Sequence, residues 1–84
     1  MGKNPADVMD YFLDITNDVC PLTFVKTKLL IERMSSGQTA EVRLNAGEPL
    51  DNVPRSVEEH GHELLGLSPE SPGGGVYILR LRKA

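Results

Sequence analysis

This 84-residue chain has no tryptophan, only two tyrosines and two phenylalanines, a single cysteine and no long apolar run. A lone cysteine, Cys20, excludes an intrachain disulfide. The chain is therefore not a crosslinked secreted miniprotein, and a reducing, cytoplasmic setting is expected. Without about 20 consecutive apolar residues, no helical membrane span is expected, and no signal-peptide pattern opens the sequence. A basic excess is missing too: nine Lys and Arg stand against twelve Asp and Glu, a formal net charge of −3. That disfavours direct nucleic-acid binding. One cysteine and two histidines are too few for a structural zinc site, and His60-x-His62 on a helix does not converge two side chains. No metal is expected. There is neither a Ser-His-Asp set nor a carboxylate pair at a workable acid/base spacing. Gly73-Gly74-Gly75 lacks the Lys-Ser/Thr pair and following helix of a phosphate loop, because Val76-Tyr77-Ile78-Leu79 reads as a strand.

What is present describes one ordinary globular unit, 39% hydrophobic and 25% charged. Residues 1–10 read as an N-terminal tail and 11–84 as a single domain with one modest core. Tyr11-Phe12-Leu13-Asp14-Ile15 predicts a strand. Pro21 suits a first helical position, residues 22–35 hold no further breaker, and Gly37 marks a stop, so a helix over 21–35 follows. Thr39 to Asn45 alternates, with Ala40, Val42 and Leu44 on the apolar face of a half-buried strand. After the turn Ala46-Gly47-Glu48-Pro49, Asp51 or Asn52 can cap a second helix running to Gly66. Pro54 falls in its first turn, and Leu50, Val53, Val57 and Leu64 form its apolar stripe, with His60 on the stripe and His62 exposed opposite. Leu67–Glu70 is a weak third strand and Val76–Arg82 a fourth. The order β-α-β-α-β-β predicts an α/β (α+β) two-layer sandwich: a four-stranded mixed sheet with two helices on one face and a closing hairpin. Acidic Asp7, Asp10, Asp14 and Asp18 near one end, and basic Arg80, Arg82 and Lys83 near the other, suggest that the first and last strands share a field.

The cysteine carries the chemistry. Cys20 falls at the cap position of the first helix, where unpaired backbone N–H groups and the helix dipole favour an anion. A thiol so placed drops from about 8.5 toward roughly 3.5–7.5. Lys26, Lys28 and Arg33, against Glu32, add positive field. The alternative is that Cys20 is a small buried hydrophobe, a common fate of free cysteine. At 100° per residue Phe24, Thr27, Leu30, Ile31 and Met34 form the core side of the helix. Leu22, Val25 and Leu29 fall opposite, flanked by Lys26 and Arg33. Either this strip docks an acidic partner, or its residues pack against the second helix or the loop at 68–75.

Leu13-Asp14, Cys20-Pro21, the stop at Gly37, Val53-Pro54, Gly61-His62-Glu63 and the closing strand together resemble the TusA/SirA/YhhP family over about residues 11–83. The resemblance implies the same two-layer fold and a sulfur carrier that needs no cofactor. Its catalytic residue would be Cys20, accepting sulfane sulfur as a persulfide from a cysteine desulfurase or another persulfide donor and passing it to an acceptor protein. Supporting roles for Asp14, Pro21, Leu22 and Thr23 around the loop and helix start are expected, and Lys28 matches a basic docking position of the family, joining Val25, Lys26, Leu29 and Arg33 of the strip read from helical spacing. A monomer that pairs transiently is expected, without nucleic acid or membrane. The chain departs from the family pattern at three places. Thr23 replaces the second proline of Cys-Pro-x-Pro and restores a backbone N–H that a cap-position thiolate can accept. Asn17 replaces a glycine, and Asn45-Ala46-Gly47-Glu48-Pro49 replaces an Asp-Asp-Pro turn. The other functions compatible with this sequence are a non-catalytic interaction module and a redox-regulatory one; the lack of a resolving cysteine counts against an autonomous dithiol switch.

Overall fold

A computed structural model describes residues 10–19 and 22–84. Its elements are β1 (Tyr11–Asp14), α1 (Leu22–Arg33), β2 (Thr39–Asn45), α2 (Glu48–Glu59), β3 (Glu63–Pro69) and β4 (Val76–Arg82). They form a two-layer α+β sandwich around one four-stranded sheet of order β1-β2-β4-β3. β1 pairs parallel with β2, whereas β4 runs antiparallel to both of its neighbours. The unit β2-α2-β3 therefore crosses over to a strand parallel to β2, and the closing hairpin returns β4 into the gap between them.

Alternation in the strands decides which face is covered. Ala40, Val42 and Leu44 of β2 and Leu79 and Leu81 of β4 are fully buried, and they meet Leu30, Ile31 and Met34 of the first helical segment and Val53 and Val57 of α2. Burying each such aliphatic side chain stabilises the fold by about 1.5–3 kcal/mol. The opposite sheet face carries Glu41, Arg43, Arg80 and Arg82, and neither α1 nor α2 covers it.

Several boundaries differ from the sequence expectation. The second helix starts at Glu48, with Gly47 as its cap residue and no side-chain cap, so neither Asp51 nor Asn52 fills that role. Pro49, not Pro54, occupies the first turn, and Pro54 lies within the helix. The helix stops at Glu59 because Gly61 adopts φ 85°, a left-handed conformation natural to glycine. His62 N–H then closes the turn on the Val57 carbonyl. Leu64 belongs to β3: its seven-residue spacing from Val57 suits a helix, but a strand aimed at the same core satisfies it equally. β3 pairs with β4 from Glu63 onward and carries an irregularity between Leu64 and Gly66. His60 is exposed and His62 half-buried, the reverse of the expectation. His62 Nδ1 lies 3.1 Å from the Ala84 N–H, which can donate to it.

The first and last strands do not adjoin either, since β2 separates β1 from β4. The basic residues of β4 pair with nearer acids: Arg80 with Glu41 at 3.6 Å and Arg82 with Glu63 at 3.4 Å.

Candidate functional site

The sheet brings three connections to one edge. The ends of β1, β2 and β3 and the start of β4 place residues 15–19, Ala46-Gly47 and 70–75 there, at the carboxyl ends of the parallel strands. Open α/β sheets commonly build their sites at such an edge. The first of these connections carries the cysteine. Cys20 and Pro21, the predicted nucleophile and helix-start proline, lie outside the described residues.

On the upstream side, Asp14 ends β1 and folds the chain over itself. Its Oδ1 accepts from the Thr16 backbone N–H at 2.9 Å and from the Thr16 hydroxyl at 2.7 Å. Those bonds, with help from Arg43, hold the Asp14 carboxyl below the usual carboxylate range. Ile15 is fully buried and its N–H donates to the Arg43 carbonyl, extending the β1–β2 ladder by one residue. The Asn45 amide donates to the Thr16 carbonyl at 2.6 Å. Farther along, Asp18 N–H returns to the Ile15 carbonyl, and Lys26 Nζ donates to both Asp18 oxygens at 2.9 and 3.0 Å. On the downstream side, Leu22 N–H bonds the Val19 carbonyl at 2.8 Å. The segment that delivers positions 20 and 21 is thus tied to β2 at its start and to α1 at its end.

Helix α1 separates its residues as its period requires. Thr23, Thr27, Leu30 and Ile31 are buried, and the Thr27 hydroxyl donates to the Thr23 carbonyl. Leu22, Val25 and Leu29 are exposed, Leu29 by 52%, so they do not pack away against α2 or the 68–75 loop. Val19, next to Cys20 in the sequence, is exposed as well. The charges around it are uneven. Lys26 is tied up by Asp18, whereas Lys28 and Arg33 form no ion pair among the described residues. Lys28 is not on the strip: it lines a cleft of about 110 Å³ between α1 and α2 with Phe24, Ile31, Val53, Val57 and His60. Arg33, Lys26 and Leu29 instead border a hollow of about 280 Å³ against β1, with Tyr11, Phe12 and Leu13. The docking residues predicted from the sequence therefore divide between two sides of one helix.

Phe12, Arg43, Asn45 and Glu70 were not among the predicted site residues. Phe12 is 60% exposed beside the α1 strip. Its signal was the alternation of β1, which sends residue 12 to the face opposite Leu13. Arg43 read in the sequence only as part of the polar face of β2, Asn45 as the end of that face and the start of the altered turn, and nothing local joined Glu70 to them. Among the described residues no three His, Cys, Asp or Glu side chains gather as metal ligands. No helix among them is long and apolar enough to cross a membrane.

The family described as Sulfurtransferase TusA matches residues 11–83. A protein of Archaeoglobus fulgidus named "Putative sulfur carrier protein" is 47% identical over 71 residues, spanning 84% of this chain and 78% of its own. A protein of the same name from Thermotoga maritima is 32% identical over 70 residues, 83% of this chain and 89% of its own. In the solved structures, a SirA-like protein from Desulfitobacterium hafniense superposes with a TM-score of 0.68 at 16% identity, covering 86% of this chain and 95% of that one.

Proposed function

The chain belongs to the TusA sulfurtransferase family, and from that premise we propose that it is a sulfur carrier working through a persulfide on Cys20. The observation that carries the proposal is the family match over 11–83, joined to a single cysteine whose place in the sequence falls between a tethered loop and the first residue of α1. In the first step the Cys20 thiolate attacks the outer, sulfane sulfur of a donor persulfide. A new S–S bond forms to Cys20, the donor's S–S bond breaks, and the donor cysteine leaves as a thiolate. In the second step an acceptor thiolate attacks the outer sulfur of the Cys20 persulfide, and Cys20 leaves as a thiolate. Each step moves one sulfane sulfur and exchanges one S–S bond for another, so no external oxidant or reductant enters.

The helix start favours Cys20 as an anion, both as attacking group and as leaving group. Asp14 and the residues it holds shape the loop, while Leu22 and Thr23 open the helix that follows Cys20-Pro21 in the sequence. Donor and acceptor are proteins that dock over Leu22, Val25 and Leu29, with Arg33 supplying attraction for acidic surface; Lys28 offers a separate contact at the α1–α2 cleft. The setting is a reducing compartment such as the cytoplasm.

Incubation with a cysteine desulfurase and cysteine, followed by intact mass measurement, tests the chemistry. One added sulfur on the wild type, removed by a thiol reductant and missing from Cys20→Ser, is expected. No gain on the wild type, in a reaction where an active carrier is loaded, would leave a non-catalytic interaction role in its place.

A further inference from the structure

Arg43 has no partner-independent reason to be where it is. It is an outward position in the middle of β2, opposite Asp14 on β1 and Ile78 on β4, where any strand-forming residue fits. Yet every nitrogen of its guanidinium is engaged. Nε and Nη2 donate to the two oxygens of Glu70 at 2.6 and 2.8 Å, a bidentate pair, and Nη1 donates to Asp14 Oδ2 at 3.1 Å. Nη1 also lies 3.5 Å from the Thr16 hydroxyl. Two segments distant in sequence therefore converge on one planar group: the end of β1 with its turn, through Asp14 and Thr16, and Glu70, the residue after β3.

From this geometry we infer that Arg43, anchored by Glu70, is a positioning residue for Cys20: it fixes Asp14 and Thr16, and through them the loop that presents the thiol at the start of α1. The inference rests on Cys20 being the activated thiol of the proposed function. Isolated surface ion pairs contribute little, but a bidentate arginine within a network is fixed in direction as well as charge. Asn45 adds a second tether on the same turn through the Thr16 carbonyl. A loop released from these ties no longer holds the chain leading to Cys20 in one orientation.

Cys20 is the only cysteine, so alkylation by iodoacetamide across pH reports this thiol alone. The variants are Arg43→Gln, Arg43→Lys and Glu70→Gln, each with its melting temperature recorded. Arg43→Gln is expected to move the reactivity profile toward higher pH, slowing alkylation on its acid side about tenfold for each pH unit of displacement. Arg43→Lys should recover part of the loss. Glu70→Gln is decisive, because it removes a negative charge yet loosens the anchor. Positioning predicts a move to higher pH; a through-space field from Arg43 predicts a move to lower pH. Amide hydrogen exchange at Thr16–Val19 should quicken in Arg43→Gln and Glu70→Gln. A wild-type profile already shifted to low pH, with the variants unshifted or Glu70→Gln shifted downward, overturns the inference and leaves the carrier reading intact. A wild-type profile of an ordinary free thiol overturns both.

Discussion

Asp14 and Glu70 share one cation, and both pay for it in proton affinity. Hydrogen bonds from Thr16, then Arg43, lower the Asp14 carboxyl, and hydrogen bonds from Arg43 lower Glu70. A carboxylate with a depressed folded-state pKa stabilises the fold above its unfolded value and loses that contribution as the pH falls through its folded value. The window therefore opens near the ordinary carboxyl range of about 4 and extends below it. Arg43→Gln is expected to flatten the dependence of the urea midpoint on pH between roughly 5 and 2, while changing stability at pH 7 only modestly because the groups are solvent-exposed. Equal acid sensitivity in variant and wild type would show that the network is not coupled to folding. None of this was legible in the sequence. Asp14 and Arg43 are 29 positions apart, and Glu70 is 27 beyond Arg43; only the parallel register of β1 on β2 and the hairpin beyond β3 make them neighbours.

At the level of elements, local pattern served where period and punctuation agreed. β2 and α1 follow their alternation and helical stripe closely, since Ala40, Val42 and Leu44 on one, and Thr27, Leu30 and Ile31 on the other, are buried as their spacing demands. Legibility failed where two glycines competed to end α2. Gly61 ends it at φ 85°, and no atom lies within 4 Å of where its Cβ would stand. Gly66 lies in β3 and is equally uncrowded, without a left-handed backbone. A side chain at Gly61 is therefore opposed by the backbone alone, at roughly 1–2 kcal/mol. Gly61→Ala should lower stability by about that amount, whereas Gly66→Ala should be neutral or slightly stabilising, since a strand interior gains from losing glycine. Denaturant unfolding of the two variants measures the difference. The reverse ranking would restore the longer helix expected from the sequence.

For the whole molecule, the order of strands was the part hardest to see: β4 inserts between β2 and β3, and no local signal announces a strand that joins from the far end of the chain. What that topology does is leave one helix with two working sides. The net charge is −3, yet the strip of Leu22, Val25 and Leu29 has at its end a cation, Arg33, that forms no ion pair among the described residues, while the nearer Lys26 is held by Asp18. If proteins carrying sulfur dock on this strip, its apolar residues contribute buried area and Arg33 steers acidic surface toward it. Leu29 is half in solvent, so Leu29→Asp should leave stability within about 0.5 kcal/mol of wild type. Sulfur loading from a desulfurase should then need a higher donor concentration to reach half its maximal rate, and Arg33→Glu should do the same with a stronger dependence on salt. Alkylation of Cys20 by a small reagent should change far less than loading in either variant, because neither residue ties the loop and salt screens an exposed charge so far along the helix. Loading that stays at the wild-type rate across donor concentrations would move the docking surface off this strip, and the α1–α2 cleft beside Lys28 would be the surface to vary next.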